Sequence, residues 1–202
     1  MTLDPFYPIV DSAHWVARLV PLGIKQIQLR IKNLDDDLIR NEIQAAKAVC
    51  EQYQCTLIIN DHWQLAIEQN CQFIHLGQED LADADLGAIR QAGLRLGLSS
   101  HDLSELGIAV TAKPDYIALG PVYPTVLKKM KWHQQGLERV SEWKQLLGNI
   151  PLVAIGGMTV ERAAGALTAG ADIVSAVSDI SLNADPEQRV RQWLAVTRER
   201  VQ

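Results

Sequence analysis

At 202 residues and 48% hydrophobic content, the chain is long enough for one domain with a large core, predicted to span 1–202. Its formal net charge of −5 argues against a nucleic-acid surface, so any anion site must be a local cluster of Lys and Arg. No apolar run reaches the ~20 residues of a membrane span. The start, Met1 to Pro8, lacks a basic segment followed by a long apolar one, so no signal peptide is predicted. Cys50, Cys55 and Cys71 are odd in number and lack metal-site spacing, which predicts reduced thiols in a cytoplasmic protein.

One alternation repeats along the chain. Tyr7–Val10 reads as a short apolar strand, followed by a helix capped at Asp11 or Ser12 and stopped by Pro21 and Gly23. Ile24–Leu29 is a second strand, and Asp35–Tyr53 a long helix with three aspartates at its start, where the helix dipole favours them. Thr56–Ile59 and Phe73–Leu76 are strands three and four, separated by a helix over 62–69. A fourth helix is predicted near 83–92 and a fifth strand over 94–98. Asp102 and Glu105 read as a capping box opening the fifth helix. Asp115–Leu119 is strand six, and a long loop covers 121–135. Leu137, Val140, Trp143 and Leu147 mark a sixth helix. Pro151–Ile155 and Asp172–Val177 are strands seven and eight, with a helix from Thr159 between them. Asp185-Pro186 opens the last helix. Eight strands alternating with eight helices, at about 25 residues per unit, predict an α/β fold with a parallel sheet closed as a (β/α)8 TIM barrel.

Active sites of such barrels lie where the strands end. Strand two ends Gln28-Leu29-Arg30-Ile31-Lys32. Side chains alternate along a strand, so Gln28, Arg30 and Lys32 share one face. Strand three ends at Asn60-Asp61, and strand four reaches Gln78-Glu79-Asp80. Two carboxylates at one mouth suit a hard divalent cation; the alternative is that Asp61 and Asp80 only cap the following helices. Ser99 and Ser100 end strand five, where capping is the simpler reading, and His101 reads as structural. Strand six leads through Thr125 into a segment with Lys128, Lys129 and Lys131, long enough to close over a mouth. Gly156-Gly157 after strand seven lets backbone N–H groups approach an anion at a helix start. Strand eight ends Val177-Ser178-Asp179. The mouth thus offers two opposed anion sites. Arg30, Lys32 and Lys128 with the carboxylates match a diphosphate and Mg²⁺, while Gly157 and Ser178 match a monophosphate. The pattern predicts an enzyme joining a diphosphate ester to a phosphorylated acceptor.

These residues resemble the thiamine-phosphate synthase (thiamine phosphate pyrophosphorylase) family over essentially the whole chain, and look most like its enterobacterial branch. The motifs are Gln28-Leu29-Arg30-x-Lys32, Ile59-Asn60-Asp61, His75-Leu76-Gly77-Gln78-Glu79-Asp80, Gly97-Leu98-Ser99, Gly120-Pro121-Val122-Tyr123-Pro124-Thr125, Ala154-Ile155-Gly156-Gly157 and Val177-Ser178. The resemblance implies a transferase of thiamine biosynthesis. It would condense hydroxymethylpyrimidine diphosphate with thiazole phosphate, giving thiamine monophosphate and diphosphate. Asp61 and Asp80 would hold Mg²⁺. Arg30, Lys32, Asn60 and Lys128 would bind diphosphate, with Arg30, Lys32 and Lys128 aiding its departure. Gln28 and Ser99 would face the pyrimidine, and Thr125, Gly157, Val177 and Ser178 would hold the thiazole phosphate. The partners implied are small phosphorylated molecules, neither nucleic acid nor membrane, with a homo-oligomer left open. Two positions depart from the family pattern. Leu127 stands where a polar residue is usual, and Asp179 where Ala is usual. A unit-charge pair at about 4 Å and an effective dielectric of about 20 is worth about 4 kcal/mol, so Asp179 must point away from a phosphate or weaken its site. An impaired phosphate-binding relative and a thiazole tautomerase are the competing readings.

Overall fold

A computed structural model describes residues 3–125 and 133–198. Eight parallel strands close into a barrel in chain order, β1 (Phe6–Val10), β2 (Gln26–Leu29), β3 (Thr56–Asn60), β4 (Phe73–Leu76), β5 (Arg95–Ser100), β6 (Tyr116–Leu119), β7 (Leu152–Ala154) and β8 (Ile173–Ala176). Closure is made by β8 pairing with β1 in the register Phe6 to Val174 and Tyr7 to Ser175. A closed ring has no unpaired strand edge. The α/β barrel read from the alternation is therefore the fold observed.

Two apolar layers hold it. Outward-facing strand residues such as Ile27, Leu29, Ile59, Ile74 and Leu98 pack against the helices in one cluster. Tyr7, Ile9, Ile58, Phe73, Tyr116, Ala118, Val153 and Ile173 fill the barrel interior in a second. The two-residue period along each strand sorts side chains between these layers. It also fixes what faces the mouth. Asn60 follows Ile58 in parity, Val177 follows Ile173, and Gln28 has the opposite parity to Ile27 and Leu29.

The helices are α1 (Ala13–Leu19), α2 (Asp36–Gln52), α3 (Trp63–Glu68), α4 (Gln78–Asp83), α5 (Leu86–Gln91), α6 (Leu103–Thr111), α7 (Gly136–Leu147), α8 (Val160–Thr168), α9 (Ser178–Ser181) and α10 (Pro186–Arg198). Two of them, α4 and α9, are additional to the eight helices expected. Residues 78–80 do not extend strand four, because Gly77 ends it as the N-cap of α4. Ser178 and Asp179 likewise open the short helix α9 rather than prolong strand eight. Asp80 and Asp179 therefore each sit in the first turn of a helix. None of the described helices is long and apolar enough to cross a membrane. Cys50, Cys55 and Cys71 are all free and buried.

Candidate functional site

The C-terminal ends of β2, β3 and β4 gather polar groups at one side of the mouth. Leu29 pairs with Ile59, and Asn60 with His75, so these three ends are adjacent. Asp61 follows β3 with φ +66, a left-handed backbone that few residues except Gly, Asn and Asp adopt readily. Its amide N–H donates to the His75 carbonyl at 2.9 Å, and its own carbonyl accepts from Trp63 N at 2.7 Å.

Neither carboxylate is a helix N-cap. His62 occupies that place for α3 and Gly77 for α4, and neither helix is capped through a side chain. The aspartates that do cap are Asp35, Asp85, Asp102 and Asp185, each accepting from the backbone N–H three residues on. The capping reading of Asp61 and Asp80 is thereby set aside.

The two carboxylates interact with each other. Burial pushes the Asp80 carboxyl up, and the neighbouring Asp61 charge adds to that. Burial also raises Asp61, but hydrogen bonding and charge from Lys32 outweigh it and hold the carboxyl below its ordinary range. Lys32 Nζ bonds Asp61 Oδ2 directly. A hard divalent cation fits this pair, since two crowded carboxylates gain most from a positive neighbour. Among the described residues there is no group of three or more His, Cys, Asp or Glu that could hold a metal. Water and substrate oxygens would have to complete the shell.

Beside the carboxylates lie two buried amides with unused donors. Gln28 is 1% exposed and Asn60 5%, yet among the described residues neither Gln28 Nε2 nor Asn60 Nδ2 has a partner at good hydrogen-bond geometry, although the Gln28 amide lies near the Tyr116 hydroxyl. A buried polar group without a partner costs about 1–3 kcal/mol. Two such groups at one mouth mark where a polar ligand belongs. Arg30 is exposed at the same rim.

Ser99 does not cap a helix. Its Oγ lies 2.8 Å from His75 Nε2, and His75 Nδ1 lies 2.8 Å from the Tyr116 hydroxyl. Tyr116 reaches Tyr7 at 3.4 Å. Burial lowers His75 to about 4 and raises Tyr7 to about 12, so this chain of groups is uncharged at neutral pH. His75, Tyr116 and Tyr7 were missed as site residues in the sequence. Their inward parity was the available signal. His101 pairs with Glu105 at 2.8 Å, the structural role expected of it.

The opposite side of the mouth is built by β6, β7 and β8. Gly156 and Gly157 have φ of +91 and +63. A Cβ on Gly156 would lie 2.5 Å from Pro121 Cα, and one on Gly157 2.8 Å from the Tyr123 carbonyl oxygen. The glycine pair thus lets the 121–124 backbone rest on the turn before α8, with the Tyr123 and Pro124 carbonyls against Gly157; Thr125 is the next residue along the chain. Arg162 of α8 donates to the Gly157 carbonyl and stacks over Tyr123 at 4.6 Å. Val177 packs on the interior cluster, and Ser178 opens α9.

Asp179 points away from the mouth. Its carboxylate accepts from Arg189 Nε and Nη2, both at 2.8 Å, and from Trp193 Nε1 at 2.8 Å. The repulsion it threatened is removed by its orientation. Lys128 and Leu127 lie outside the described residues.

A family model described as thiamine monophosphate synthase matches residues 6–180. A thiamine-phosphate synthase of Rhizobium etli is 62% identical over 197 residues, covering 98% of this chain and 97% of that protein. One from Klebsiella pneumoniae is 47% identical over 190 residues, covering 94% and 90%. Among solved structures, a thiamine phosphate pyrophosphorylase from Pyrococcus furiosus superposes with a TM-score of 0.85 at 24% identity, covering 96% and 95% of the two chains. That last likeness speaks for the fold alone. With a barrel whose mouth carries the motifs in register, a family match over most of its length and a relative this similar, the chain belongs to the thiamine monophosphate synthase family.

Proposed function

We propose that the chain, acting as one domain over 1–202, performs its family's transfer of a pyrimidinylmethyl group from a diphosphate ester to the nitrogen of thiazole phosphate. The observation that carries this reading is the Asp61–Asp80 pair, with Lys32 against it and the unpartnered amides of Gln28 and Asn60 beside it. Asp61 and Asp80 would hold Mg²⁺. When bound, the cation supplies positive charge to the leaving diphosphate oxygens.

The chain's own residues do the rest. Arg30, Lys32 and Asn60 bind the diphosphate and stabilise the charge it gains on leaving. Lys128, from the 126–132 segment, is assigned the same role on sequence grounds. The carbon–oxygen bond to the methylene breaks and its electron pair leaves on the diphosphate. The resulting pyrimidinylmethyl cation is delocalised over the aminopyrimidine ring. The thiazole nitrogen then donates its lone pair to that carbon. No proton is removed from the nucleophile, so no general base is needed, and a neutral His75 is in keeping with that. Gln28 and Ser99 orient the pyrimidine, with Ser99 held by His75. Thr125, Gly157, Val177 and Ser178 hold the acceptor phosphate.

The orientation of Asp179 removes one of the two reasons for reading the chain as an impaired relative. A tautomerase would have no use for a carboxylate pair facing Lys32. The free cysteines support a reducing, cytoplasmic setting. A coupled assay with both phosphorylated substrates tests the proposal. Activity is expected to require Mg²⁺, and Asp61→Ala or Asp80→Ala is expected to lower kcat by about 100-fold or more. Wild-type turnover in either variant would refute the metal assignment.

A further inference from the structure

The acceptor side of the mouth is made from two separate connections, β7 to α8 and β8 to α9. α9 is four residues long, too short to hold its own position. One guanidinium joins the two. Arg189 of α10 donates through Nε and Nη2 to the two oxygens of Asp179, the residue after Ser178. Through Nη1 and Nη2 it donates, at 2.9 Å each, to the two oxygens of Glu161 in the first turn of α8. Both carboxylates are gripped bidentately by one planar fork. The Asp179 and Arg189 side chains are 10% and 14% exposed. Trp193 completes the carboxylate of Asp179 and stacks on Phe6 of β1, with ring centroids 4.8 Å apart. Asp179 is thus tied to α8, α10 and the barrel wall, and the residue that departs from the family pattern is the centre of the brace.

We propose that Arg189 is a positioning residue for the acceptor phosphate, bracing the β7–α8 and β8–α9 connections at the spacing that lets Gly157 and Ser178 address one phosphate group. This rests on the reading above that these connections take the thiazole phosphate. Arg189 does not touch the substrate. Its own charge is spent on two carboxylates, and Glu161 is held down to about 2, first by its hydrogen bond to Arg189. A lysine could keep the charge but not grip two carboxylates bidentately.

The test is steady-state kinetics on the full chain with Mg²⁺, each substrate varied against a saturating partner. In Arg189→Lys, KM for thiazole phosphate is expected to rise about tenfold, with KM for the pyrimidine diphosphate and kcat nearly unchanged. Glu161→Gln, which loses half the brace from an exposed side chain, is expected to raise the same KM by about two- to threefold. Equal rises in both KM values in a folded Arg189→Lys protein would mean general damage and overturn the proposal. So would an unchanged acceptor KM. If Arg189→Lys shows no cooperative thermal transition, Glu161→Gln decides alone, and an unchanged acceptor KM there sinks the idea. A wild-type protein that forms no thiamine phosphate would defeat the functional reading and the brace with it. An active wild type with insensitive variants would defeat the brace only.

Discussion

Inside this barrel one hydrogen atom matters. A Cβ on Gly97 would lie 2.5 Å from both Tyr116 Cε1 and the Tyr116 hydroxyl oxygen, so the Tyr116 ring stands where any other residue at 97 would put its side chain. The ring in turn presents its hydroxyl to His75, which holds Ser99. Gly97→Ala is therefore expected to destabilise the fold by about 1–3 kcal/mol, read as a lower denaturant midpoint. Tyr116→Leu in the same chain should recover part of that loss, and strict additivity of the two changes would refute the contact. The glycine stood out in the sequence as part of Gly97-Leu98-Ser99, but its reason did not, because that reason is a residue nineteen positions away. The same holds for Arg189. Nothing local in Arg189-Val190-Arg191 marks it, and only the fold brings Asp179 and Glu161 to it.

At the scale of elements, the long periodic helices and the apolar strands were legible, since their patterns repeat several times within one segment. α4 and α9, six and four residues long, were not, because neither carries a repeating apolar stripe: Leu81 is the one buried residue of α4 and Ile180 of α9. Both follow a strand almost directly, where a strand end and the loop after it were expected. Cap chemistry was legible at Asp102, whereas Asp35, expected in the first turn with Asp36 and Asp37, is itself the N-cap of α2. The predicted box at Asp102 and Glu105 forms with one change. Glu105 N–H donates to Asp102 Oδ1 at 2.9 Å, but Glu105 Oε2 accepts from His101 N–H at 2.7 Å instead of from Asp102 N–H. Asp102→Ala should cost about 1 kcal/mol of stability. Thermal unfolding would report that, while kcat stays near wild type because the cap touches no proposed substrate group. An unshifted midpoint would show that the cap contributes nothing.

For the whole molecule, the count of eight alternating units was enough to predict closure, and the two-residue period was enough to point Gln28 inward. The uncharged relay across the interior was not readable. Tyr7 and Tyr116 sit near strand starts and pass for ordinary core residues. His75 joins β4 to β5 and β6 while staying neutral, which gives the fold an acid limit. Burial first of all lowers its pKa from 6.5 to about 4. Between those values the unfolded chain binds a proton that the folded one does not, so stability is full above pH 6.5 and falls as the pH drops toward 4. The loss is about 3 kcal/mol for a fully buried group. Denaturant titrations in magnesium-free buffer should show it, and His75→Gln should flatten the slope; an unchanged slope would exclude His75 as its source. The pairing of β8 with β1 has a further consequence, in time rather than space. Gln28, Arg30, Lys32, Asn60, Asp61 and Asp80 all precede β5, whereas Ser178 gains its support only when Arg189 and Trp193 of α10 arrive. On a translating ribosome the residues proposed for the leaving group, Lys128 excepted, emerge first, and the proposed acceptor cradle cannot be completed until α10 is clear of the tunnel.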